Sequence, residues 1–262
     1  MNDKIITGSH RIFILLIVLI FSGCGEIDNY KAPDAVLYGK IITEIGNKVP
    51  QRVQNSAGLR FALYEMEAEN SLPQYFYAKP DGTFENRMLF SGNYKIRMEQ
   101  TNFYPVDDLY QYIDKNTEYN FTVTPFCEVR NVEVSHIADA KIRVKFELHR
   151  EKDKDCKILN YSVYGHVSPV VDDIPANWLV AKEVICSEEN DNVLLNQSLE
   201  MILDMNDYSD FHNQYAHIVK ANQNLIYIRI SVKTAFPYTG NSNDTGSTYV
   251  NFSDIIPVAI TF

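Results

Sequence analysis

One tryptophan, four cysteines and six histidines among 262 residues leave little with which to build a metal centre or a disulfide scaffold. Cys24, Cys127, Cys156 and Cys186 lie far apart, which is neither a zinc-ligand spacing nor a disulfide framework. Cys156 and Cys186 can pair or remain thiols. His212 and His217 are five residues apart, not the four that align side chains on one helix face. His136, His149 and His166 are scattered along or beside strand patterns, so no metal and no cofactor is expected. Positive charge is also scarce: 24 Lys and Arg against 34 Asp and Glu give a net charge of −10. A phosphate backbone needs clustered Lys and Arg, so nucleic acid is excluded as a partner. No Gly-x-Ser-x-Gly elbow, P-loop or Gly-x-Gly-x-x-Gly turn occurs, and each of those motifs is required by its chemistry. Asp107 and Asp108 are adjacent, and neighbours on an extended chain point apart. Asp204, Asn206, Asp207 and Asp210 suggest a calcium loop, but Tyr208 stands where an EF-hand needs its third ligand, so a solvated turn is expected. The chain reads as non-catalytic.

Long apolar runs are missing after residue 24 and present only before it. Residues 18–28 read VLIFSGCGEID, the end of an apolar stretch that starts at Ile12, behind a basic start with Lys4, His10 and Arg11. A basic segment, about ten apolar residues and small residues at the break describe a secretory signal too short to span a bilayer. Ser22-Gly23-Cys24 resembles the lipobox of bacterial lipoproteins. That resemblance implies cleavage after residue 23 and acylation of Cys24, and several acyl chains on one residue anchor firmly at about 0.8 kcal/mol per buried methylene. The removed residues 1–23 carry Lys4, Arg11 and Asp3, one net positive charge, so the remaining 239 residues stand at −11. Residues 24–34 are polar, contain Pro33 and show no period, as befits a lipidated tether.

Beyond the tether, period-two alternation dominates. Tyr94, Ile96 and Met98 alternate with Lys95, Arg97 and Glu99. Ile142, Val144, Phe146 and Leu148 alternate with Arg143, Lys145 and Glu147, and Ile226, Ile228, Ile230 and Val232 repeat the pattern. Such alternation marks antiparallel sheets with one face on a core and one in water. Pro80-Asp81-Gly82, Ser91-Gly92-Asn93 and Thr239-Gly240-Asn241 punctuate the runs at intervals typical of a sandwich. One short helix is expected where Phe211, Tyr215, Ile218 and Val219 fall at helical spacing. The predicted fold is all-β, with a boundary at Pro125 that divides residues 35–126 from 127–262 into two tandem antiparallel β-sandwiches.

Gly39, Gly46, Val49-Pro50, Asp81-Gly82-Thr83-Phe84 and Gly92-Asn93-Tyr94 together resemble the transthyretin-like, carboxypeptidase-regulatory-like sandwich. Asp-Gly supplies the positive φ of a tight turn, and Phe84 and Tyr94 can pack inward. The second half, through Leu225–Phe236 and a closing strand within residues 249–262, resembles a fibronectin type III or immunoglobulin-like sandwich, with Tyr227 near the start of a late strand. Residues 169–224 fit neither template. Lipobox and both sandwiches together resemble a Bacteroidota lipoprotein family of unknown function. The resemblance implies an outer-membrane, surface-facing location and partnership with SusC-like transporters and SusD-like binding proteins in glycan uptake.

Seventeen tyrosines and fourteen phenylalanines are the remaining signal. Tyr104, Tyr110 and Tyr112 sit among Asp and Gln, and Trp178 follows Asp172-Asp173 closely. Sugar rings lay C–H faces on aromatic planes while their hydroxyls meet amides and carboxylates, so these four are the glycan-contact candidates. Tyrosine is also a favoured strand residue, and Trp178 can equally plug a core. A flat apolar patch or an unpaired edge strand would instead favour an adhesive, protein-binding module.

Overall fold

The alternating runs become the strands of two sandwiches, and their apolar faces become two separate cores. The computed structural model describes residues 31–53, 58–67, 72–138, 140–151, 156–186, 194–208, 211–237 and 247–261. The expected signal segment 1–23, Cys24 and most of the expected tether lie outside the described residues, as do Asp210 and the expected turn at 239–241.

The first sandwich holds β1 (Ala35–Ile42), β2 (Arg60–Glu65), β3 (Gln74–Tyr77), β4 (Thr83–Leu89), β5 (Gly92–Glu99), β6 (Leu109–Ile113), β7 (Asn116–Glu118) and β8 (Phe121–Thr122). One sheet has the order β4-β1-β7 with β8 also on β1, and the other has the order β3-β2-β5-β6. Phe61 stacks on Phe76 at 4.7 Å and meets Phe84 at 4.8 Å and Phe121 at 5.6 Å, which makes an aromatic centre for this core. Phe84 and Tyr94 are both buried in it. The sheets are antiparallel as expected except at one edge, where the short β7 and β8 run parallel to β1. These strands are two or three residues long, too short for alternation to reveal their direction.

Gly39 lies in the middle of β1, where the backbone of Tyr119 crosses it. A Cβ there would stand 1.8 Å from the Tyr119 carbonyl oxygen, and backbone cannot yield as a flexible side chain can. Gly39→Ala is therefore expected to cost about 3 kcal/mol, at the upper part of the range for overpacking. Thermal unfolding should register a fall of roughly 6–12 °C in Tm.

The second sandwich holds β9 (Glu128–Ala138), β10 (Lys141–His149), β11 (Lys157–His166), β12 (Val180–Ile185), β13 (Leu199–Asp204), α1 (Phe211–Ala221), β14 (Leu225–Phe236), β15 (Ser247–Phe252) and β16 (Ile256–Ala259). Three strands, β13-β10-β9, face five, ordered β12-β11-β14-β15 with β16 also on β14. Ile142, Val144, Phe146 and Leu148 are buried against Ile226, Ile228, Ile230 and Val232. The segment 169–224 supplies β12 to one sheet, β13 to the other, and then the short helix.

Two expectations for the last strands are corrected. Alternation in β14 predicts one face in water, yet Arg229 and Ser231 on that face are as buried as the apolar residues between them. At Arg229 the first sandwich covers that face. The closing strand is also two strands: β15 and β16 follow β14 in turn, broken at Ser253. The break turns the Ser253 carbonyl toward the Arg229 guanidinium, with Nε to oxygen at 3.1 Å.

Candidate functional site

Alternation along β2, β5 and β6 builds a polar, tyrosine-rich surface on the outside of the first sandwich. Leu63, Ile96 and Ile113 point into the core, so Tyr64, Lys95, Tyr110 and Tyr112 point out. Register aligns Tyr64 with Lys95 and Lys95 with Tyr110, while Asn93 lies opposite Tyr112. On the far side, Ala62 lies between Tyr75 and Arg97, and Arg60 between Tyr77 and Glu99. Tyr110 is 65 % exposed, Tyr112 54 % and Tyr75 48 %.

Charges fix the rings between them. The Lys95 ammonium sits 4.4 Å from the Tyr64 ring centroid, and the Arg60 guanidinium 4.5 Å from that of Tyr75. Arg60 also binds Glu99 at 2.6 Å, and Arg97 grips Asp108 with two bonds of 2.8 and 2.9 Å. The Arg97 hydrogen bonds hold the Asp108 carboxyl below the usual carboxylate range. On this face Arg60 and Arg97 are thus paired with carboxylates while Lys95 lies over a ring, so among these groups the surface carries one net positive charge. It presents rings, amides and paired ions to solvent.

Tyr104 and Trp178 lie elsewhere. Tyr104 packs on Phe126 at 4.8 Å and on Phe236 at 5.0 Å, and Tyr249 lies 4.5 Å from Phe126. This cluster joins the two sandwiches, so Tyr104 spends its ring on packing. Trp178 is half-buried on the second sandwich, 6.3 Å from the Tyr164 ring. Of the four candidates, only Tyr110 and Tyr112 share a surface. Tyr64, Tyr75 and Tyr77 were absent from the sequence candidates, although each stands in a strand whose alternate residues are apolar.

The densest polar structure lies at the junction. Arg229 is fully buried. Its Nη2 donates to the carbonyls of Gln51 at 2.7 Å and Pro80 at 3.3 Å in the first sandwich. Its Nη1 and Nε donate to Val171 and Ser253 in the second, at 3.3 and 3.1 Å. The Phe252 ring covers the guanidinium at 4.4 Å. Burial pulls its pKa down to about 10, against the opposing pull of Asp172, Asp254 and Asp173. Beside it, Arg52 makes a bidentate pair with Asp173 at 2.6 and 2.8 Å, and Asp172 accepts from the Val53 amide at 3.0 Å. Asn251 donates to the Asn102 carbonyl at 2.8 Å, and its Oδ1 accepts from the Cys127 amide. Arg229 is absent from the sequence candidates; the signal available is a lone Arg between the apolar residues of YIRISV.

Two clefts flank the junction, of about 670 and 270 Å³. The larger is lined by Lys48, Pro125, Glu128, Arg130 and Asp254 among others. Glu128 pairs with Arg130, and its other carboxylate oxygen is buried without a hydrogen-bond partner. Asp204 caps the Asn206 amide and binds Lys141 at 3.0 Å, which commits the first carboxylate of the supposed calcium loop. Among the described residues no group of three or more metal-ligating side chains converges, and no disulfide joins Cys127, Cys156 and Cys186.

The first sandwich matches a known family. Residues 35–124 are similar to the domain described as "Protein of unknown function (DUF3823) N-terminal domain". No curated protein matches the chain. Among solved structures, a DUF3823 family protein from Bacteroides ovatus is 24 % identical, covers 86 % of this chain and 98 % of its own, and superposes with a TM-score of 0.66. One from Parabacteroides merdae is 20 % identical at a TM-score of 0.66, covering 87 % of this chain and all of its own. A third, from Bacteroides uniformis, is named a "putative carbohydrate binding protein"; it is 19 % identical at a TM-score of 0.62, covering 87 % and 99 %. At these identities the likeness is one of fold, and it extends across both sandwiches.

Proposed function

We propose that this protein is a non-catalytic cell-envelope lipoprotein, anchored through Cys24 in the outer membrane and facing the cell surface. It binds glycan on the outer face of β3-β2-β5-β6 and serves a polysaccharide-uptake complex alongside SusC-like and SusD-like proteins. The observation that carries the reading is the exposed tyrosine surface: Tyr110, Tyr112 and Tyr75 stand in water with Asn93, Lys95 and Arg97 between them. A pyranose can lay its C–H face on a ring while its hydroxyls reach the neighbouring amide and paired ions. The similarity to a Bacteroides protein named for carbohydrate binding supports the same reading.

A glycan-array screen of residues 25–262 tests it. Neutral oligosaccharides should be retained with dissociation constants of about micromolar to millimolar, because one open platform buries little surface. Retention should survive high salt, because ring–sugar contacts are not screened. No cleaved product should form on incubation.

A second reading, a structural or adhesive module, has one observation in its favour. β6 ends its sheet, and a partner's strand can add to such an edge. An array with no retained glycan would transfer the tyrosine surface to that role.

A further inference from the structure

The chain enters the first sandwich at the end opposite the junction. The Asp34 amide donates to the Leu89 carbonyl at 3.0 Å, and Asp34 Oδ1 accepts from the Ser91 amide at 2.9 Å. From there β1 runs to the other end, where the Ile41 amide meets the Gly82 carbonyl at 2.9 Å. That far end carries Pro80 and Gln51, whose carbonyls receive Arg229. Asp34 follows Cys24 by ten residues, so the body can stand no more than about 35 Å from an acylated Cys24.

The entry end exposes large apolar side chains. Met88 and Phe90 flank Leu89 just before the turn into β5, and Met66 and Leu72 sit beside them in the chain's folding. Gln74, two residues after Leu72, donates through Nε2 to the Met88 carbonyl at 3.0 Å. The Met66 amide donates to the Asn93 carbonyl at 2.9 Å, and the Tyr94 hydroxyl to the Phe90 carbonyl at 2.9 Å. Leu72 is 88 % exposed and Met88 64 %. A single exposed apolar residue is ordinary, but several at one end form a patch that calls for a partner. The carboxylates at this end, Asp34, Glu67 and Asp114, are held by Ser91 and Asn93. Their charge disfavours an anionic partner.

We propose that this end of the first sandwich docks on the membrane, with Met66, Leu72, Met88 and Phe90 entering the headgroup region of a zwitterionic bilayer. The proposal rests on the reading of Cys24 as the acylated anchor. An anchor at one residue does not by itself set the orientation of the body. The apolar end adds a second contact that fixes its orientation, holds the tyrosine surface along the side and directs the second sandwich away from the lipid.

The acylated full-length protein carrying Phe90→Trp and Trp178→Phe tests the proposal in phosphatidylcholine vesicles with and without brominated acyl chains. Brominated chains should remove about half of the indole emission, since a docked ring sits about 5–10 Å into the headgroup boundary. The parent protein, whose single tryptophan is Trp178 on the second sandwich, should keep its emission. Met88→Trp with Trp178→Phe should behave like the Phe90 variant, which guards against one substitution failing to fold. Unquenched emission from both variants, on vesicles that retain the protein, would overturn docking and leave the anchor standing. Protein that does not float with vesicles and carries no acyl mass on Cys24 overturns the anchor and the docking together.

Discussion

Arg229→Ala should destabilise the protein by about 3–5 kcal/mol, the range found when one partner of a buried charged network is removed. The substitution strands carbonyls of Gln51, Pro80, Val171 and Ser253 that now receive the guanidinium. It also removes the opposite charge that Arg229 sets near the fully buried Asp172. Arg229→Lys should recover little. An ammonium is a point donor and cannot reach four carbonyls spread around a planar fork. Arg229→Met retains volume but still leaves the acceptors unpaired, so it should fall close to the alanine variant. Urea unfolding followed by tryptophan fluorescence measures the loss, since Trp178 lies in the second sandwich near Asp173. An unchanged midpoint in the alanine variant would show that the junction does not depend on this residue.

The alternating runs made the sheets legible. Ile142, Val144, Phe146 and Leu148 face the core as their spacing predicts, and so do Phe84 and Tyr94. The expected short helix is present as α1. What alternation cannot report is what covers the opposite face. In β14 it predicted water where the first sandwich buries Arg229, because period two encodes which residues share a face and not who the neighbour is. The parallel strands β7 and β8 were illegible for a different reason: two or three residues carry no period.

The site was legible only in part. Tyr110 and Tyr112 stood out because they interrupt a polar stretch, and the structure leaves both in water. Tyr104 stood in the same stretch, but its ring joins Phe126 and Phe236, residues that lie about 20 and 130 positions away in sequence. Tyr64 and Tyr75 escaped notice because a tyrosine inside a strand pattern reads as packing. Only the register of β2, β3 and β5 shows which face of the sheet it occupies.

Replacing Tyr110 and Tyr112 together with alanine should weaken glycan binding about tenfold or more, ~1.4 kcal/mol or beyond. Both rings stand on one face of β6, two residues apart, where a sugar chain can span them. Stacked contact area disappears on truncation, whereas hydrogen bonds from Asn93 and Arg97 remain and cannot orient a sugar alone. Folding should be almost untouched, within about 0.5 kcal/mol, because exposed rings contribute little to the core. Trp178→Ala provides the contrast. Its ring leans on Tyr164 in the other sandwich, so it should lower the melting temperature and leave affinity unchanged. Titration calorimetry with the array's strongest oligosaccharide, beside thermal melts of the same samples, separates the outcomes. If the double variant binds as the parent does, the tyrosine surface is not the glycan platform. If instead it unfolds at much lower temperature, those rings serve the fold rather than a ligand.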